Sequence, residues 1–191
     1  MDKNNNQKEN NSLLSRGKFS AIEIAKCLLS FDPSRQYFTK NLVSFRENLG
    51  SIPMEGNFRL NKLLHMCQIF YCIKHKKPLF KEPMTAFEHG AVVHDVYSDF
   101  LNLYELLDST VNLDKETYNF VHSIFKYFYQ YKNEDTTLRE FSHEDPAWKL
   151  GREQEEKIKK GGIMPLNDEL VSYYSDFFDD TLREIEEVNA K

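Results

Sequence analysis

The sequence predicts a mainly α fold: a single compact helical domain of about six to eight helices, with a short strand or hairpin near 84–92. Three observations carry this expectation. Gly and Pro are scarce, at 7 and 6, while Phe and Tyr are abundant, at 15 and 10; that balance favours helices packed on helices over a turn-rich β sandwich. Apolar residues recur at the 3.6-residue helical spacing in several separate segments. Finally, 191 residues with 40% apolar content suffice for one sizeable core despite 29% charged residues, but not for two independent domains.

Residues 1–17 are polar and Asn-rich and are expected to form a disordered tail. Ser20 followed by Glu23 forms a capping box, and Phe19 with Ile24 stands at hydrophobic-staple spacing. The helix Ala21–Phe31 then places Ile24, Cys27, Leu28 and Phe31 on one face, and Asp32-Pro33 ends it. A weaker helix over 40–49 closes at Gly50, and Ser51–Asn57 is expected to be a loop.

The strongest apolar helix spans about 59–76. Leu60, Leu63, Leu64, Cys67, Phe70 and Tyr71 share one face, while Met66, Ile69 and Ile73 add a second, so this helix should be central. Pro78 stops it. Residues 84–88 suggest a strand turned at His89-Gly90. A helix over 93–108 is expected to bury Val93, Val96, Tyr97, Phe100, Leu103, Tyr104 and Leu107. Asp114 caps a helix to Tyr131 with Tyr118, Val121, Phe125 and Phe128 inward. A short helix at 136–142 leads into a Ser-His-Glu-Asp-Pro-Ala-Trp loop. A charged amphiphile over 149–160 follows, stopped by Gly161-Gly162. Asn167 caps the last helix, with Leu170, Tyr174, Phe177, Leu182 and Ile185 inward.

The formal charge of −5 argues against a nucleic-acid binder, which needs clustered Lys and Arg. The run Lys74–Lys77 is read instead as complementing a helix C-terminus. The acidic last helix is first of all a solvated face, and also offers charge complementarity to a basic partner. Cys27, Cys67 and Cys72 are odd in number and form no Cys-x-x-Cys pair; they read as small buried hydrophobes in a reducing cytosol. There is no apolar stretch of signal-peptide or membrane-span character, so a soluble, cytoplasmic protein is expected.

No phosphate loop, dinucleotide fingerprint, nucleophile elbow or His-Glu-x-x-His motif occurs. The six histidines are scattered, and His89 and His94 are badly spaced for one metal on a helix. His143-Glu144-Asp145 could support acid–base chemistry, yet three such side chains in a loop more often cap helix ends. No catalytic residue, metal ligand or cofactor is therefore assigned. Lys62 lies on the central apolar helix, where a buried ammonium requires a carboxylate or carbonyl partner. Lys62→Met is accordingly expected to lower stability or binding.

Several segments together resemble one family. Leu60-Asn61-Lys62-Leu63-Leu64-His65-Met66-Cys67-Gln68 resembles the Lys-Leu-x-Lys-Leu-Leu-Tyr-Phe-Ala-Gln helix of the Panacea domain, also called the SocA-like antitoxin domain. Pro78-Leu79-Phe80 is similar to its Pro-Leu-Phe element. Ala86-Phe87-Glu88-His89-Gly90-Ala91-Val92 is similar to its Ala-Trp-x-Tyr-Gly-Pro-Val turn. Leu138, Ser142, His143 and Trp148 resemble its later Leu…Leu-Ser-His…Pro-Trp signature. The resemblance covers about 19–180, and the domain is drawn at 18–188. Departures are His65 for the family tyrosine, Phe87 for its tryptophan, Ala91 for its proline, and Ala147 inserted between Pro146 and Trp148.

The resemblance implies an antitoxin that neutralises a cognate toxin by direct contact, with no enzymatic site and no cofactor. Candidate partner-binding or fold-organising residues are Lys62, Gln68, Glu88, Gly90, His143 and Trp148. Alternatives are a phage or mobile-element protein, or a proteolysis adaptor with the same fold and no toxin. From a different class comes an enzyme using the His143 region.

Overall fold

The computed structural model describes residues 17–41, 54–106, 112–158 and 161–190. Seven helices and one small sheet lie among them: α1 Ala21–Ser30, α2 Glu55–His75, β1 Thr85–Phe87, β2 Gly90–Val92, α3 His94–Glu105, α4 Lys115–Tyr129, α5 Asp135–Glu144, α6 Pro146–Ile158, β3 Gly162–Ile163 and α7 Asp168–Ala190. The fold is mainly α, as expected, and no helix among the described residues is long and apolar enough to cross a membrane.

Helix α2 is the axis of the molecule, buried on every side from Gly56 to Ile73. Helices α1, α3, α4, α5 and α7 and strand β2 all pack on it. Its apolar residues meet Phe128 of α4 and Phe178 of α7 through Phe70, at ring separations of 6.4 and 6.1 Å. It starts at Glu55, earlier than the loop assigned to Ser51–Asn57 allows, because Glu55 and Gly56 N–H groups are taken up by the carbonyls of Asn41 and Thr39. It ends with Lys76 in the left-handed conformation (φ 52°), whose N–H returns to the Cys72 carbonyl. The helix anticipated over 40–49 falls mostly outside the described residues.

The capping box at Ser20 and Glu23 is formed in full. Asp32 closes α1's exit: its carboxylate accepts the N–H groups of Gln36, Tyr37 and Phe38. Asp114 caps α4 by accepting from Thr117 N–H, and Asn167 caps α7 by accepting from Leu170 N–H. All three cysteines are buried and free. Gly17, assigned to the tail, is buried against the backbone of Phe80 and Lys81. Residues 1–16 lie outside the described set.

The sheet is antiparallel with order β2-β1-β3, pairing Ala86 with Ala91 on one side and with Gly162 on the other. The hairpin was anticipated; β3 was not, since Gly161-Gly162 reads as a helix stop alone. Its backbone is packed against Gly151 of α6 so closely that a Cβ at Gly162 would collide with the Gly151 carbonyl.

Four other expectations need correction. Tyr97, Tyr118 and Phe177 are exposed rather than inward. In α7 the inward series is Val171, Tyr174, Phe178, Leu182 and Ile185, so Phe178 takes the place given to Phe177. Helix α3 ends at Glu105, and Leu107 lies outside the described residues. The Ser142–Trp148 segment is no loop: α5 runs through Glu144, Asp145 alone is extended, and α6 opens on Pro146. Proline suits that first position because its missing N–H is not needed there, and Asp145 Oδ1 accepts the Ala147 N–H at 2.7 Å.

Candidate functional site

Six buried polar residues interrupt the apolar surface of α2: Arg59, which pairs with Glu55 and Asp135, and a set of five, Asn57, Asn61, Lys62, His65 and Gln68. Their spacing puts them along one side of the helix. Each is committed to a neighbour's backbone or to a second buried side chain. Asn61 Oδ1 accepts the Val93 N–H at 2.9 Å, and Asn57 Nδ2 donates to the Tyr97 carbonyl. Gln68 Oε1 accepts from the N–H groups of Leu79 and Phe80, while its Nε2 donates to the Phe80 carbonyl. The helix thereby fixes the segment after Pro78 and the start of α3 by reading their main chains.

His65 is the hinge of a second set. Its Nδ1 lies 3.1 Å from Ser142 Oγ and its Nε2 lies 2.6 Å from Asp145 Oδ2. Ser142 Oγ also accepts the Ala91 N–H, and Asp145 Oδ1 also accepts from Tyr174 O–H at 2.9 Å. These partners assign the proton. With Ser142 donating to Nδ1 and the Nε2 proton facing Asp145, every polar atom of this hydrogen-bonded set is satisfied. Asp145 then accepts three hydrogen bonds, from His65, Tyr174 and the Ala147 N–H. Burial pushes the Tyr174 hydroxyl far above its ordinary pKa, with the Asp145 carboxylate adding to the shift, so it remains a donor. One lattice thus ties β2, α2, the α5–α6 junction and α7.

The hydrogen-bonded order Ser142–His65–Asp145 invites comparison with a hydrolytic triad. In that arrangement Nε2 faces the serine and Nδ1 the carboxylate; here the ring is reversed. Ser142 is fully buried and spends acceptor capacity on the Ala91 N–H. Helix α2 and the hairpin seal it from solvent.

The predicted residues divide into three groups. Lys62 and Gly90 meet: Lys62 Nζ donates to the Ala91 carbonyl at 3.2 Å, and a Cβ on Gly90 would stand 2.6 Å from that same Nζ. His143 and Trp148 stack with centroids 4.0 Å apart at 14°, and Trp148 Nε1 donates to the Phe87 carbonyl. His143 also bonds the backbone of Glu88, whose own side chain is exposed at the hairpin turn. Gln68 stands apart, serving the Leu79–Phe80 segment. Asn61 was not singled out beforehand; His65 and Ser142 entered only through the family resemblance, Asp145 only in the His143-Glu144-Asp145 run and Tyr174 only as an inward position of the last helix. The polar stripe of Asn57, Asn61, His65 and Gln68 on an otherwise apolar helix was the signal available.

Burial lowers the His143 imidazole to about 4, helped by the nearby Lys62 and Arg139 charges, so it is neutral at pH 7. Its Nε2 is buried with no hydrogen-bond partner among the described residues. No group of three His, Cys, Asp or Glu that could hold a metal occurs among those residues.

Burial also lowers the Lys62 ammonium to about 7; among the described residues it donates to one carbonyl, that of Ala91, with the Phe58 ring 4.8 Å away. The sequence-based expectation for Lys62→Met changes accordingly. Unfolded, this amine titrates near 10.5. The folded state therefore binds fewer protons between pH 7 and 10.5, and its stability rises with pH across that window. Well below pH 7 the full burden applies, about 5 kcal/mol at the usual 1.4 kcal/mol per pH unit, and at pH 7 slightly less. Methionine removes it and leaves the Ala91 carbonyl unpaired, at about 1–3 kcal/mol. Lys62→Met should stabilise by about 2 kcal/mol at pH 7 and lose that advantage by about pH 9.5. Urea unfolding at both pH values checks this; an advantage independent of pH would contradict it.

Residues 60–149 match the family model described as antitoxin SocA-like, Panacea domain. No curated protein and no solved structure matches the chain. The matched stretch begins at the polar face of α2 and takes in the hairpin, Ser142, Asp145 and Trp148. Over these residues, somewhat under half of the 191, the chain is similar to the Panacea domain of SocA-like antitoxins.

Proposed function

We propose that the protein is an antitoxin that neutralises a cognate toxin by direct contact in the cytoplasm, without catalysing a reaction or binding nucleic acid. The family match over 60–149 carries this reading. The character of the interior supports it. Every buried polar side chain of α2 braces the fold, His143 is too weak a base to be protonated at neutral pH, and the Ser142 hydroxyl is closed off from any substrate. The same side chains that an enzyme would present to a cleft are here used to hold a hairpin and a helix junction in place. That rigid frame leaves function to the outer surface.

The test is co-expression with the proteins encoded by adjacent genes. Growth rescue from a toxic neighbour, with the two proteins co-purifying as a complex, is the expected result. A measurable turnover abolished by His143→Ala in a folded protein would favour the enzymatic alternative. Rescue that requires a protease, with no rescue in its absence, would favour the adaptor.

A further inference from the structure

Helix α7 has an outward face of unusual make-up. Its inner side, from Val171 to Ile185, is packed in the core. On an exposed flank beside it lie Tyr173 and Phe177, exposed at 45% and 49%. One helical turn apart, their rings stack at 5.8 Å and 15°. A purely solvated helix face is built from charged and polar residues, and two adjoining exposed aromatics are the anchors typical of a protein interface. Around them stand Glu169, Asp176 and Asp180, all exposed.

The charge distribution points to what would cover this face. Eight of the chain's 30 acidic residues lie on α7, against one of its 25 basic residues. The helix alone is more negative than the whole chain, whose formal charge is −5, and the remainder is slightly positive. Internal compensation is partial. Arg183 pairs with Asp179 and Asp180, and Lys74 with Glu186. Tyr127 O–H donates to Glu184. Among the described residues Glu169 and Asp176 carry no ion pair. Asp168 and Glu169 also favour the helix N-terminus electrostatically, but Asp176 and Asp180 lie too far along the helix for that.

We propose that this outer face of α7 docks a cationic amphipathic segment of the protein partner, with Tyr173 and Phe177 as apolar anchors and the surrounding carboxylates selecting a basic sequence. The proposal rests on the reading of the chain as a protein-binding domain. A basic segment with apolar residues one turn apart matches both features: its side chains cover the two rings, and its lysines or arginines approach Asp176 and Asp180.

The test uses the full-length protein and a fluorescent synthetic helix of Leu and Lys, about five turns long, with leucines on one face. A second peptide has every Lys replaced by Glu. The Lys peptide should bind and the Glu peptide should not. Tyr173→Ser/Phe177→Ser should weaken binding about tenfold or more. Asp176→Asn/Asp180→Asn, which preserves shape, should weaken it several-fold and flatten its salt dependence. Melting curves establish that each variant is folded; the asparagine pair, far from the core, remains informative should the serine pair fold poorly. Absence of binding, equal binding of both peptides, or no effect of the asparagine pair would overturn the proposal.

The same variants enter the growth assay. If the wild type neutralises a neighbouring toxin and the folded variants do so equally, docking on α7 is refuted while the antitoxin reading stands. If the wild type neutralises none, that reading fails and the peptide titration alone decides the α7 face.

Discussion

Asp145→Ala should lower the free energy of unfolding by about 4 kcal/mol, because it strands three buried donors at once. His65 Nε2–H, Tyr174 O–H and the Ala147 N–H all terminate on this carboxylate, at 2.6, 2.9 and 2.7 Å. Asp145 itself is fully buried, so water cannot replace it without opening the α5–α6 junction. Each stranded donor costs about 1–3 kcal/mol, and some relaxation keeps the total below the sum. Asp145→Asn should cost less, about 2 kcal/mol. Its carbonyl can still serve two of the donors, but its amide faces the third and forces His65 to move its proton to Nδ1. Tyr174→Phe, which removes a single partner, should cost about 1 kcal/mol. Asp145→Ala combined with Tyr174→Phe should be less damaging than the two losses added, since they share one bond. Equilibrium urea unfolding measures all four. An Asp145→Ala protein within 1 kcal/mol of wild type would mean that the carboxylate is not the anchor described.

The positions of the helices were readable because their signals are local. Ser20 with Glu23, Asp114 with Thr117, and Asn167 with Leu170 each close a helix end within four residues, and the structure has all three caps. Lys62, Gly90, His143 and Trp148 were legible through the family resemblance, and the structure brings them to the hairpin in two touching pairs. What escaped is non-local. Asp145 drew notice only within the His143-Glu144-Asp145 run, as a loop residue; only the approach of α2 and α7, 80 and 29 residues away in sequence, makes it a buried junction. Strand β3 is two residues long and has no periodicity to detect. Phe177 and Phe178 are adjacent aromatics, and a shift of one residue in helical phase decides which is core. The phase is fixed by Tyr174, whose hydroxyl must reach Asp145, a constraint invisible in the helix's own sequence.

Gly90→Val should be the most damaging single change in the hairpin, costing about 3–5 kcal/mol. Gly90 has φ of +109°, a conformation that a β-branched residue adopts only under strain of about 1–3 kcal/mol. Space adds a second penalty. A Cβ there would stand 2.6 Å from both Lys62 Nζ and Ser142 Oγ and 2.7 Å from Lys62 Cε. The lysine end can yield, but Ser142 Oγ is held by the Ala91 N–H and by His65, so its displacement carries over into the lattice around Asp145. The two penalties separate experimentally. In the background of Lys62→Ala, which opens room on one side of the turn, Gly90→Ala should recover the lysine's share of its steric cost, while the Ser142 contact and the backbone strain remain. Ala91 marks where the family resemblance places proline, and substituting proline here should not be neutral. The Ala91 N–H donates to Ser142 Oγ at 3.1 Å, and proline abolishes that donor and crowds the serine, a loss of about 1–3 kcal/mol. Hydrogen exchange of the Gly90–Val92 amides and thermal melting report both effects. Should Gly90→Val melt within a few degrees of wild type, the turn is not pressed against Lys62 and Ser142, and the joining of hairpin to central helix described above is wrong.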